Sequence, residues 1–258
     1  LVSICYFISF NRSIENFSND ASVKFLKKNE TCNLIKNIDY FVDFTEADLF
    51  ARKLISNRNN IFDAYCSGFK NFTKDDKAKL QKVIDSLPKN ELLNNFSFAK
   101  IGRNIEYGYP HTHKDTIFMS SDTINESLKD LIYVTAHEQM HVMQRKKPEL
   151  FKKLYLEHLN FKQGSLILDK KYKKLIRSNP DTRLTPENEF LYDNGNGDYY
   201  YLNAFFKNNQ PDNLGDVDYL GIKCDLTRKD NKNVFTSTDK AIKLKDFSDF
   251  SRFFGLTG

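Results

Sequence analysis

The sequence predicts an α+β fold: a small mixed sheet laid over one long apolar helix, with additional helices before it. Three observations carry this. Residues 96–101 alternate apolar and polar side chains, as a half-buried strand does, and residues 116–120 form a second short strand-like run. Residues 131–143 are mostly apolar and hold a single formal charge, Glu138, which suits a buried helix at the floor of a cleft. Thr45 and Thr73 each precede an aspartate by three residues, Asp48 and Asp76, the spacing of a capping box with a short acid in place of the usual Glu.

The chain has 258 residues, enough for one large domain or a domain with a smaller companion. A hydrophobic share of 40% and a charged share of 28% are those of a soluble globular chain. The net charge of +5 comes from interspersed lysines and acids rather than from blocks, which argues against nucleic acid as a partner. Cys5, Cys32, Cys66 and Cys224 are scattered, with no Cys-x-x-Cys pair. That spacing excludes a local cysteine zinc cluster and offers no disulfide framework, so a reducing compartment is the simpler expectation, with one long-range disulfide left open.

In chain order, residues 1–10 are apolar but too short to span a bilayer. They fit a buried strand or the remainder of a signal or anchor. The first residue is Leu1 and the last residues carry no polar tail, so the chain is expected to be a fragment at both ends. Residues 1–40 are assigned as this apolar start and a polar lead-in, and residues 41–258 as one catalytic domain. The Thr45 cap starts a helix to about Ser56, and the Thr73 cap a helix whose stripe is Leu80, Val83, Ile84 and Leu87, stopped by Pro88. Gly108 and Pro110 demote residues 105–113 to an edge strand or loop. Asn125 or Ser127 caps the long apolar helix, which runs to about Arg145, and Pro148 opens another that runs to about Phe161. Residues 165–178 extend as a basic helix, residues to Gly215 are irregular, residues 217–222 form a short strand, and Phe247, Phe250, Phe253 and Phe254 have helical spacing.

The long helix contains His137-Glu138-Gln139-Met140-His141. Positions i and i+4 share a helix face, so His137 and His141 can grip one metal ion, and Glu138 can reach a water on it. A catalytic zinc takes three protein ligands and keeps one position for water. After His141, Glu157 and His158 are the candidates for the third ligand: in an antiparallel helix pair Glu157 comes level with His137, and His158 lies on the apolar stripe. Each is equally readable as an ordinary helix residue. Glu187 and Glu189 lie in a loop-like stretch and read as solvated. On the strand before the helix, His111 and His113 share a face at i and i+2. Those two are candidates to bind a metal or a substrate carbonyl, and Tyr107, Tyr109 or His111 to donate to an oxyanion. A plain polar edge strand is the alternative.

Residues 104–118, which include Pro110-His111-Thr112-His113, the stretch from His137 to Arg145, Leu154-Tyr155, and Ser178-Asn179-Pro180-Asp181 together resemble uncharacterised zincin-like proteins of large DNA viruses, with more distant bacterial relatives. The likeness covers most of residues 40–258. It implies a zincin-like fold, a Zn2+ cofactor, a peptide or protein substrate and hydrolysis with Glu138 as general base. It also implies a third ligand on a His-Pro-x-Glu segment that follows a piece similar to Phe254-Gly255, which sets Glu157 and His158 back as ligands. The expected activity is therefore that of a zinc metallopeptidase. A catalytically silent zincin-fold module and a metal-dependent hydrolase of a non-peptide amide are the alternatives. A soluble location is expected, with membrane anchoring or virion or host-cell association if an N-terminal segment precedes Leu1.

Overall fold

A computed structural model of the chain describes residues 22–38, 40–88, 93–182 and 189–244. The apolar start, the phenylalanine-rich helix expected near residue 250 and Glu187 lie outside the described residues.

The elements are, in chain order, β1 (Ser22–Phe25), α1 (Lys28–Lys36), α2 (Glu46–Ala51), α3 (Ile61–Gly68), β2 (Phe69–Lys70), α4 (Lys74–Ser86) and β3 (Asn95–Ile101). Next come β4 (His111–His113), β5 (Thr116–Ser120), α5 (Ser121–Asn125), α6 (Leu128–Lys146) and α7 (Pro148–His158). The remainder is β6 (Phe161–Ile167), α8 (Lys170–Lys173), β7 (Glu189–Asp193), β8 (Tyr199–Phe206), β9 (Val217–Lys229) and β10 (Lys232–Lys243). The architecture is α+β. The chain divides into two compact units, Leu1–Asp39 with Asn59–Pro148, and Tyr40–Arg58 with Glu149–Gly258.

The first unit holds a mixed sheet in the order β1-β3-β5-β4, with β2 paired to β3. Strands β1, β3 and β5 are parallel, and β4 closes the order as an antiparallel edge. Register fixes what each face presents. Phe96, Phe98, Ile117 and Met119 share one face and form a single core with Leu80, Val83 and Ile84 of α4 and with Leu131 and Val142 of α6. The capping box expected at Thr73 and Asp76 is present, and the α4 stripe is buried as its spacing requires. Asp76 also accepts from Lys100 at 2.6 Å, so the lysine that interrupts the β3 alternation is paired inside the unit. Ser127 caps α6, its hydroxyl accepting from the Asp130 amide at 3.2 Å.

Between β3 and β4 the backbone takes three successive left-handed conformations, at Glu106 (φ 45), Tyr107 (φ 56) and Gly108 (φ 76). Only the glycine adopts this without steric cost. The buried Glu106 carboxylate accepts from the Tyr65 hydroxyl at 2.5 Å, which ties this turn to α3. Cys32 on α1 and Cys66 on α3 pair as a disulfide, with Cα atoms 5.3 Å apart. The two lie 34 residues apart in sequence, so local spacing carries no trace of the bond.

The second unit is built on a closed five-stranded barrel, β10-β6-β7-β8-β9. Successive strands are antiparallel, so the fifth strand runs with the first, and the barrel closes by a parallel β6–β10 pair. Its interior is filled by Leu191, Tyr201, Phe205, Ile222, Cys224 and Phe235. This corrects three expectations. Residues 161–167 are a strand rather than the end of one helix and the start of another. Tyr199–Phe206 is a strand rather than irregular chain, and the short strand at residue 217 runs to Lys229. The reason is visible at Gly164: a Cβ there would stand 2.6 Å from the Asn233 carbonyl oxygen, so closure needs a glycine that, in sequence, reads only as a break.

Also in this unit, Asp48 caps α2 by the expected box with Thr45. The helix stops at Ala51, short of Ser56, because Lys53 turns left-handed (φ 57). Asp48 is fully buried and accepts from Arg52 at 2.6 Å, while Ser178 donates to it through both its amide (3.1 Å) and its hydroxyl (2.8 Å). The Ser-Asn-Pro-Asp segment is thereby clamped to α2.

Candidate metal centre

Helix α6 buries Leu131, Thr135, Glu138, Gln139, Val142 and Met143. This is a stripe at helical spacing, and the two motif histidines fall on its flank: His137 is exposed and His141 half-buried. The helix is therefore not buried all round, as the apolar composition of residues 131–143 suggested. Glu138, 5% exposed, lies on the covered side.

His137 and His141 stand one turn apart with their rings nearly perpendicular, at 83°. Their Nε2 atoms are 3.2 Å apart. Two nitrogens bound tetrahedrally to one zinc at about 2.05 Å lie about 3.3 Å from each other. The pair thus already has the separation that a shared zinc ion requires, and the implied N–Zn–N angle is about 103°. The wiring behind one ring agrees. His141 Nδ1 lies 2.8 Å from the Gln144 amide oxygen, which only accepts, so Nδ1 carries the proton and Nε2 keeps its lone pair. At 3.2 Å a proton shared between the two Nε2 atoms and a zinc ion compete for the same lone pairs. Gln144 was not singled out from the sequence. Its signal is the i+3 spacing from His141, which puts the two side chains side by side.

The structure does not bring His111 and His113 to this group. Strand β4 pairs His111 with Phe118 and His113 with Thr116, while Thr112 pairs with Ile117. Ile117 faces α6 and Phe118 faces away, so Thr112 points to the helix side and both histidines lie on the opposite face of the sheet. The expectation that these histidines line the same site is corrected by the two-residue period of the strand. Both are buried, at 3% and 5% exposed. His111 Nδ1 donates to the Tyr109 carbonyl at 2.9 Å and its ring lies against Phe118. Tyr109 itself is 60% exposed.

The candidate third ligands belong to α7, in the other unit. Glu157 is exposed and lies 3.9 Å from Lys153, one turn before it. His158 is exposed and is the last residue of the helix. Glu189 is not a solvated loop acid: it begins β7, and burial lifts its carboxyl from 4.5 to about 7. Burial likewise pushes the Cys224 thiol up to about 11, which leaves it inert inside the barrel. No helix among the described residues is long and apolar enough to cross a membrane. Comparison with protein-family models, with curated proteins and with solved structures finds no match to this chain.

Proposed function

We propose that the chain is a zinc-dependent peptidase whose catalytic unit, the sheet with α4 and α6, is zincin-like. The observation that carries the proposal is the 3.2 Å separation of His137 Nε2 and His141 Nε2 on adjacent turns, with Glu138 between them in sequence. The Gln144 acceptor behind His141 supports it, because ligand imidazoles in metal sites are oriented this way. Kinship with zincin-like proteins of large DNA viruses is part of the same proposal and rests on the sequence resemblance alone.

His137 and His141 would supply two of the three protein ligands. Bound zinc supplies a Lewis acid for the scissile carbonyl and lowers the pKa of its water. Glu138 takes the proton from the attacking water and passes it to the leaving amine.

The test is a peptide-library digest with the wild type and Glu138→Gln, alongside zinc analysis of both. The proposal expects cleavage by the wild type, equal zinc in the two proteins, and a loss of about 100-fold or more in the variant. Wild-type activity in Glu138→Gln would end it. Zinc without cleavage of any peptide would favour a silent zincin-fold module, and cleavage only of small amides a non-peptide hydrolase.

A further inference from the structure

The covered face of the motif helix is apolar except at one turn. Leu131, Val142 and Met143 are buried there, and between them α6 buries Thr135, Glu138 and Gln139, which are 0%, 5% and 1% exposed. Their spacing is i, i+3 and i+4, so the three side chains are neighbours on one face. Helical side chains lean toward the N-terminus, over the turn before their own, so Glu138 and Gln139 both reach back toward Thr135.

The polar atoms of this turn have a definite order. Gln139 Nε2 donates to the carbonyl of Asn95, the first residue of β3, at 3.2 Å. A carbonyl only accepts, so the end of the amide that faces it is the nitrogen, and Oε1 is an acceptor on the other side. Gln139 Oε1 and the Thr135 hydroxyl are buried, and neither has a hydrogen-bond partner among the described residues. A buried polar atom without a partner is destabilising, and few are left so in a folded protein. The Gln139 oxygen and the Glu138 carboxylate both only accept, so neither can satisfy the other. A group with two protons to give and a lone pair to receive the Thr135 proton serves all three. Water is the smallest such group, and about three bonds is the usual number for a buried water.

We infer that Thr135 and Gln139 hold an ordered water beneath Glu138, and that Thr135 is thereby a positioning residue for the general base. The Thr135 hydroxyl donates to the water, and the water donates to Gln139 Oε1 and to one Glu138 oxygen. A carboxylate offers about four acceptor sites, so this bond leaves the other oxygen to take the proton of the attacking water. The catalytic consequence rests on the peptidase proposal; the water itself rests on Thr135 and Gln139.

The experiment uses the full chain with Thr135→Val, which keeps the side-chain shape, and Thr135→Ser, which keeps the hydroxyl. Zinc content, KM and kcat on an internally quenched peptide, and the urea midpoint are measured for each. The expected result in Thr135→Val is wild-type zinc and KM with kcat lower by about tenfold, and Thr135→Ser recovers most of that loss. The midpoint falls in Thr135→Val, because removing one member of a water-bridged set leaves the others short of a bond. A hydroxyl buried without any bond would give the opposite, a valine variant more stable than the wild type. A raised midpoint, a wild-type kcat or lost zinc in Thr135→Val would overturn the inference, as would an equal loss of kcat in the two variants. A wild type that cleaves no peptide would sink the peptidase proposal instead, and the midpoints would then decide separately whether the water is held.

Discussion

Gln144→Leu should weaken zinc binding without unfolding the chain. The Gln144 amide oxygen accepts from His141 Nδ1 at 2.8 Å, within the ordinary range for a neutral hydrogen bond. Such a bond contributes about 1 kcal/mol net. When the ring ligates a dication it carries partial positive charge, and a hydrogen bond to a charged donor rises to about 2–3 kcal/mol. The difference between the two states, about 1–2 kcal/mol, is the part of zinc affinity that Gln144 supplies. It corresponds to a Kd about 5- to 30-fold weaker in the leucine variant. Gln144→Glu replaces the acceptor with an anionic one and should bind zinc at least as tightly as the wild type. Competition against a chromophoric chelator at fixed pH reads both values, with circular dichroism confirming that α6 persists. Unchanged affinity in Gln144→Leu would show that the Gln144 bond does not prepare His141 for metal.

Two further outcomes test the fold. Reducing the Cys32–Cys66 bond reopens a loop with a sequence separation of 34, which costs about 4 kcal/mol by the chain-entropy relation. Urea unfolding with and without reductant should show that loss, and coincident curves would mean that the bond does not form in solution. Burial raises the Glu189 carboxyl from 4.5 to about 7, so the folded chain holds its proton more tightly than the unfolded chain. The associated stability is therefore complete below pH 4.5 and lost as pH rises to about 7, a difference of about 3 kcal/mol. Glu189→Gln should raise the melting temperature at pH 8 and leave it unchanged at pH 4.5; equal melting temperatures at pH 8 would contradict the buried placement.

Much of the first unit was legible because its signals are local. Thr73 and Ser127 announce their helices through side chains that bond within three residues, as Thr45 does in the second unit. The stripe Leu80, Val83, Ile84 and Leu87 has the period of the helix that buries it. The edge character of β4 followed from Gly108 and Pro110. What the sequence hid was set by distant partners. The side of the sheet that takes His111 and His113 depends on the register of β4 against β5, not on their own spacing. Cys32 meets Cys66 only because α1 and α3 fold together. The barrel was missed for two reasons. Tyr199–Phe206 runs apolar on both faces and so lacks alternation, and Gly164 signals a break where it provides a close approach. Strand β9 was the recoverable part: Leu220, Ile222, Cys224 and Leu226 alternate with polar neighbours and all pack into the barrel.

The central claim is that His137 and His141 share one zinc ion. Zinc analysis of the purified wild type beside His137→Ala and His141→Ala tests it most directly. The account predicts one tightly held zinc per wild-type chain and its loss in each variant, with the fold retained by circular dichroism. A wild type that takes up no zinc, or variants that keep it, would contradict the account.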